Sequence, residues 1–140
     1  MDHKTKEAIL KAVNQEPFAS TLGLRLIDLD EGYSVIEMTY EPDKMNNLFS
    51  RAHGGAIFAL IDEAFQTSCQ THGTIAVALN VNVTYITSPA EKTTLRAVSK
   101  EISKTRKTAN YDIKVFDQEN RLIATCQALA YRTGNPLPFP

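Results

Sequence analysis

Between His53 and Asp62 the chain reads His-Gly-Gly-Ala-Ile-Phe-Ala-Leu-Ile-Asp, two glycines at the head of an apolar helical run and one carboxylate within it. Glycine in a helix interior costs about 1 kcal/mol relative to alanine. A glycine pair at a helix start is better explained by close approach to the unpaired amides there. Gly54 and Gly55 would offer those amides, backed by the positive end of the helix dipole, to an acceptor oxygen or a developing oxyanion. Asp62 lies apart from Ile57, Leu60, Ile61, Ala64 and Ser68, whose spacing marks a buried stripe. It falls beside Phe58, Phe65 and Cys69 on a second face. A carboxylate bordering apolar surface can serve as general base or as nucleophile. The neighbouring Glu63 points about 100° away around the helix.

Gly54 and Asp62 are eight residues apart, ~12 Å along one helix axis, too far to act on a single carbonyl carbon. If both serve one substrate, they come from different subunits. An isologous two-fold pairing of antiparallel helices would bring Gly54 of one chain near Asp62 of the other and create two equivalent sites.

The elements needed to hold this segment are legible around it. Lys4 to Val13 reads as a short peripheral helix ended by Pro17, so residues 1–21 form a helix and a lead-in. Leu24 to Leu29 and Tyr33 to Tyr40 flank Gly32 as a hairpin, although adjacent Leu26 and Ile27 obscure the phase of the first strand. Glu41 to Arg51 is a polar loop delivering the chain to a helix that runs from Gly54 to about Thr71 and stops at His72-Gly73. Strand patterns follow at Ile75 to Thr87, Thr93 to Ser103, Ala109 to Asp117 and Leu122 to Arg132. In the first of these, Ile75, Val77, Leu79, Val81, Val83 and Tyr85 alternate with smaller or polar residues. Gly134 to Pro140 reads as an irregular, proline-rich tail. One long helix between a hairpin and an antiparallel meander predicts an α+β fold with the sheet covering the helix.

With 140 residues, 43% hydrophobic and 22% charged, the chain suits one globular domain spanning 1–140. A net charge of −1 supplies no field for nucleic acid or anionic membrane. Lys92, Arg96, Lys100, Lys104, Arg106 and Lys107 nevertheless crowd one stretch whose single acid is Glu101, a candidate phosphate site. Cys69 and Cys126 lack metal-ligand spacing and read as reduced core residues, and His3, His53 and His72 are too scattered for a metal site, with His3 and His72 expected at the surface. Met1 to Phe18 has no apolar leader segment, which predicts a cytoplasmic protein.

Asn47, six residues before His53-Gly54-Gly55, and then Asp62 resemble the active-site signature of hotdog-fold acyl-CoA thioesterases, in particular the phenylacetate-pathway (PaaI-like) branch. The likeness runs from about Leu22 to Tyr131 and includes Asn82-Val83-Thr84-Tyr85 and Ser88-Pro89-Ala90. It implies a hotdog fold, hydrolysis of acyl-CoA to a carboxylic acid and CoA, sites at the interface of a homodimer or homotetramer, and no cofactor or metal. The catalytic set it implies is Asp62 as base or nucleophile, Gly54 as oxyanion donor, Asn47 orienting water or thioester, and His53 holding the loop or positioning substrate. The expected substrate-binding residues are Gly55, Gln66, Phe58, Asn82, Arg106 and Lys107, with Arg106 at the family's basic turn position and Lys107 as a neighbouring charge. Phe49, Phe58 and Phe65 are candidate linings for an aromatic or medium-chain acyl group. Four residues depart from the pattern: Ser50 and Thr105 replace frequent glycines, Gln66 a frequent Ser or Thr, and Ala78 a hydroxyl that some relatives carry. Two other readings share the fold. One is an acyl-CoA dehydratase, which usually relies on a differently placed histidine. The other is a noncatalytic acyl-CoA-binding module, although no DNA-reading segment accompanies it.

Overall fold

A computed structural model describes residues 1–139. Helix α1 (His3–Asn14) is capped by Asp2, whose carboxylate accepts the Thr5 amide at 3.0 Å. A second helix, α2 (Pro17–Leu22), corrects the expectation of a plain lead-in after α1. Pro17 ends nothing here; it occupies the first turn of the new helix, where its missing N–H has no partner to lose. Gly23, at φ 66°, closes α2 in the left-handed conformation.

The remaining elements are β1 (Arg25–Asp30), β2 (Tyr33–Tyr40), the single turn α3 (Pro42–Met45), α4 (Gly54–Cys69), β3 (Thr74–Tyr85), β4 (Thr93–Lys104), β5 (Thr108–Phe116) and β6 (Leu122–Pro136). Six antiparallel strands lie in the order β1-β2-β4-β5-β6-β3 and wrap α4, the α+β hotdog arrangement the sequence predicts. The expected stripe on α4 is the buried one, with Ile57, Leu60, Ile61, Ala64 and Ser68 all at 1% exposure or less. It meets Ile36, Met38 and Tyr40 of β2, Leu95 and Ala97 of β4, and Tyr111 and Ile113 of β5 in one core. Alanines at 97, 109, 124, 128 and 130 keep the concave face shallow enough for the helix to lie close to it. Where helix and sheet approach, buried hydroxyls satisfy one another: Ser34 donates to the Ala64 carbonyl at 2.7 Å, Thr67 to Ser34 at 2.9 Å, and Ser68 pairs with Ser99 at 2.7 Å.

Two β-bulges decide what the edges present. One lies between Leu26 and Asp28, so Ile27 is the extra residue that obscured the phase of β1. The other lies between Ala78 and Asn80 and reverses the alternation of β3 at Leu79. Ala76 therefore turns inward while Val77 and Leu79 are 46% and 59% exposed, and beyond the bulge Val81 and Val83 pack on the core. The single-face alternation expected for β3 thus holds only past the bulge. Among the described residues β3 pairs with β6 alone, and its other edge is open.

Two further expectations need correction. Gly134 to Pro136 continue β6, with Thr74 of β3 opposite Pro136, and Leu137 and Phe139 pack against the Ile9–Val13–Leu29 cluster under α1. The described part of the tail is therefore a strand end and a docked segment. His72 is not a surface residue either. Its side chain is 7% exposed, with Nε2 at 2.6 Å from Glu101 and Nδ1 at 3.2 Å from Glu31, joining the end of α4 to the β1–β2 turn and β4.

Candidate active site

The approach to α4 is held from several sides. Asn46 and Ala52 form an isolated bridge, the His53 amide donates to the Met45 carbonyl at 2.7 Å, and Ala52 is bound by Pro89 and Ser88. Between them Asn47 Oδ1 accepts the Phe49 and Arg51 amides at 2.9 and 3.2 Å, which closes the loop and stabilises Ser50 at φ 58°. The Asn47 oxygen is thus committed to the loop, leaving its NH2 group as the end available to a ligand. At the tip, Leu48 and Phe49 are 96% and 79% exposed.

His53 is the N-cap of α4: its Nδ1 accepts the Gly55 amide at 2.8 Å. This corrects the expectation of two free amides, because the imidazole takes the one at Gly55. An accepting Nδ1 places the proton of a neutral ring on Nε2, so His53 faces outward as a donor and not as a base. The Gly54 N–H meets no acceptor among the described residues, and it heads a sixteen-residue helix whose dipole favours a negative oxygen there. Both glycines have steric reasons. A Cβ on Gly54 would lie 3.2 Å from the Tyr85 ring, and one on Gly55 would lie 3.0 Å from His53 Nδ1. Tyr85 itself donates to the Gly54 carbonyl at 3.0 Å, and partial burial raises its pKa so that it stays a donor. Sequence reasoning did not assign Tyr85 to the site; strand β3 delivers it from thirty-one residues away, and no local pattern signals that contact. Removing the cap with His53→Ala is expected to cost of order 1 kcal/mol, measured by denaturant unfolding, with His53→Asn recovering most of it.

Down the exposed side of α4 run Phe58, Asp62 and Gln66, each one turn beyond the last. Phe58 is 37% exposed, whereas Phe65 is core, stacked edge-on against Tyr111 at 5.4 Å. Asp62, Gln66, Cys69 and Gln70 border a groove of about 210 Å³ whose other wall is Ala76, Val77 and Ala78 of β3. Desolvation, and secondarily the Glu16 charge, hold the Asp62 carboxyl above the ordinary aspartate range. Since β3 begins beside this groove and ends with Tyr85 on Gly54, Asn82 lies along the strand between them, exposed and hydrogen-bonded to Asn80.

Arg106 and Lys107 stand at the opposite end of the helix from Gly54. Their turn is closed by the Thr105 amide on the Thr108 carbonyl (2.7 Å) and by Thr105 Oγ1, which accepts the Lys107 and Thr108 amides, so a threonine serves there without a positive φ. The basic stretch is not one cluster. The twelve-residue β4 extends it over about 40 Å, with Lys92 at one end and Lys104 at 3.3 Å from His72 at the other. Arg96 lies opposite Glu37 in register. Both cysteines are buried and free. Among the described residues no three His, Cys, Asp or Glu side chains are placed to hold a metal ion, and no helix is long and apolar enough to cross a membrane.

Comparison with known proteins places this geometry in a family. The family model of the thioesterase superfamily matches residues 49–124, the segment from the Asn47 loop through α4 to β6. A relative from Archaeoglobus fulgidus, named "Putative esterase", is 35% identical over 117 residues, covering 84% of this chain and 75% of its own. The acyl-coenzyme A thioesterase PaaI of Escherichia coli is 28% identical over 98% of this chain and 97% of its own. The solved structure of that PaaI superposes with a TM-score of 0.90 over 96% of each chain. A Streptococcus mutans protein solved with acetyl CoA is 25% identical, with a TM-score of 0.76 over 81% of this chain and 91% of its own. With a family match over more than half its length and a 35% identical relative along most of it, this chain belongs to the thioesterase superfamily.

Proposed function

We propose that the protein hydrolyses acyl-CoA thioesters to a carboxylic acid and free CoA, at two equivalent sites shared between the subunits of a homodimer. The observation that carries this reading is the placement of an uncommitted Gly54 amide and a desolvated Asp62 carboxylate eight residues apart on α4. The thioester oxygen is bound by Gly54 N–H, which stabilises the charge that develops as the carbonyl carbon is attacked. Asp62 takes the proton of the attacking water, or attacks first and is released by water afterwards; either way the C–S bond breaks and the thiolate leaves to be protonated. His53 Nε2–H and the Asn47 amide stand at the same helix entrance as donors that orient the substrate.

Pairing of subunits is supported by what one chain leaves uncovered. Phe58, Asp62 and Gln66 face outward, β3 has an open edge bearing Val77 and Leu79, and Leu48 and Phe49 project beside the helix start. Antiparallel pairing across these surfaces would set Gly54 and Asn47 of one chain against Asp62, Gln66 and the Arg106–Lys107 turn of the other, uniting groups that one protomer holds at opposite ends of α4. A pocket edged by Phe58 and Phe49 suits an aromatic or medium-chain acyl group. The named origin of the E. coli relative, a phenylacetic acid degradation operon, agrees with an aromatic one. The reaction needs no metal or cofactor beyond the CoA of the substrate. A free-thiol assay across an acyl-CoA panel tests the proposal, with turnover expected on arylacetyl or medium-chain esters. Absence of thiol release from every ester would sink it, tight binding without turnover would mark a binding module, and an enoyl product would mark a dehydratase.

A further inference from the structure

Glu63 is the acidic side chain of α4 that folds inward, 4% exposed although adjacent in sequence to the outward-facing Asp62. Its Oε1 has no hydrogen-bond partner among the described residues. Its Oε2 accepts from Gln66 Nε2 at 3.3 Å, and the same nitrogen donates at 2.9 Å to Oε2 of Glu16, in the link between α1 and α2. Among the described residues, the charged groups that face Glu63 are Glu16 from that link and Asp62 from its own helix, both acidic, and no Lys, Arg or His is among the groups that shift it. Two carboxyls held around one amide without a cation do not both ionise readily.

We infer that Glu16 and Glu63 share one proton and, through Gln66, form a positioning latch for the face of α4 that carries Asp62. The amide itself does the positioning. Gln66 has two N–H hydrogens, both spent on the carboxyl pair, and a carboxylate must be met by the NH2 end and not by the carbonyl. The side chain is thereby fixed between the groove beside Asp62 and the apolar cleft under α1, since it lines both. Burial, and then the Glu16 charge, push Glu63 up to about 8, which keeps the pair singly protonated at neutral pH. When that proton leaves, two adjacent negative charges repel, Gln66 is no longer clamped, and the α1–α2 link loosens. Asp62 then loses its support one turn away. The positioning role rests on the reading of Asp62 given above, whereas the shared proton does not.

Thermal denaturation and kcat for thiol release, both from pH 5 to 9.5 on the full chain and on Glu63→Gln, test this. A folded-state pKa raised from 4.5 to about 8 means that stability present below pH 4.5 is lost as pH rises through 8. The wild type should therefore fall progressively behind Glu63→Gln, which keeps the hydrogen bonds without the charge, by about 5 °C or more in Tm at pH 9. Its kcat should decline around pH 8 with KM little changed, and Glu63→Gln should lose that alkaline limb while retaining the acidic one. Parallel Tm curves would overturn the shared proton. Separated Tm curves with superimposed kcat profiles would overturn the positioning role and leave a structural latch. A wild type that releases no thiol overturns the reading of the active site, and the positioning role with it, while the melting curves still decide the shared proton. Should Glu63→Gln not fold, Glu16→Gln removes the other carboxyl of the pair and should narrow the alkaline loss of Tm without abolishing it, because Glu63 stays buried; an unchanged alkaline loss would overturn the pairing.

Discussion

Replacing Asp62 by asparagine is expected to lower kcat for thioester hydrolysis by about 10²- to 10⁴-fold, the usual contribution of a positioned base. KM should change little, because the CoA contacts and the Gly54 amide are untouched. Asparagine is nearly isosteric, and Asp62 makes no hydrogen bond that holds the fold among the described residues, so the melting temperature should be kept or slightly raised. Wild-type kcat/KM should also fall as pH drops through the Asp62 pKa, at a higher pH than an ordinary aspartate would give, since desolvation and Glu16 both favour its protonated form. The residual activity of the variant should lack that acidic limb. Equal turnover by the two proteins would remove Asp62 from the chemistry.

Mixing two inactive variants should restore activity. Gly54→Val thrusts a branched side chain at the Tyr85 ring, already 3.2 Å from a Cβ there, and should displace the proposed oxyanion donor, an expected loss of about 2.7 to 4 kcal/mol of barrier. Asp62→Asn removes the proposed base. If each site takes Gly54 from one chain and Asp62 from the other, a mixed dimer holds one site with both lesions and one intact. Refolding equal amounts together should then recover about a quarter of wild-type activity, since half the dimers are mixed and half of their sites are sound. Recovery would distinguish a shared site from one confined to a single chain. If the mixture stays as inactive as its components while gel filtration shows exchange, the subunit-shared arrangement fails.

The long-range layout was legible because it rests on periodicity. The stripe from Ile57 to Ser68 specified which side of α4 the sheet covers. What escaped were local events that periodicity averages away. An extra residue at Ile27 or Leu79 reverses a strand's faces without altering its composition. Pro17 reads equally as the end of one helix or the first turn of the next, and only the φ of Gly23 and its neighbours decides. Gly55 looked like a second free amide because the sequence shows the amide and not the imidazole that occupies it. Likewise Glu63 and His72 look solvated among polar neighbours, yet Glu16, Glu31 and Glu101, distant in the chain, enclose them.

The bulge at Leu79 also couples the length of an edge strand to the chemistry at a helix tip. Inward-facing residues are even-numbered before it, at Ala76, and odd-numbered after it, at Val81 and Val83, with Tyr85 in the same phase reaching Gly54. Pairing Leu79 into a regular ladder, with no residue removed, would leave Ala76 where it is, but every position beyond would arrive on the opposite face. Asn82 would exchange places with its apolar neighbours, and the tyrosine would swing away from the glycine carbonyl it now holds. The spare residue works as a spacer of odd count, setting which residues of the strand's far half meet the core and which face outward.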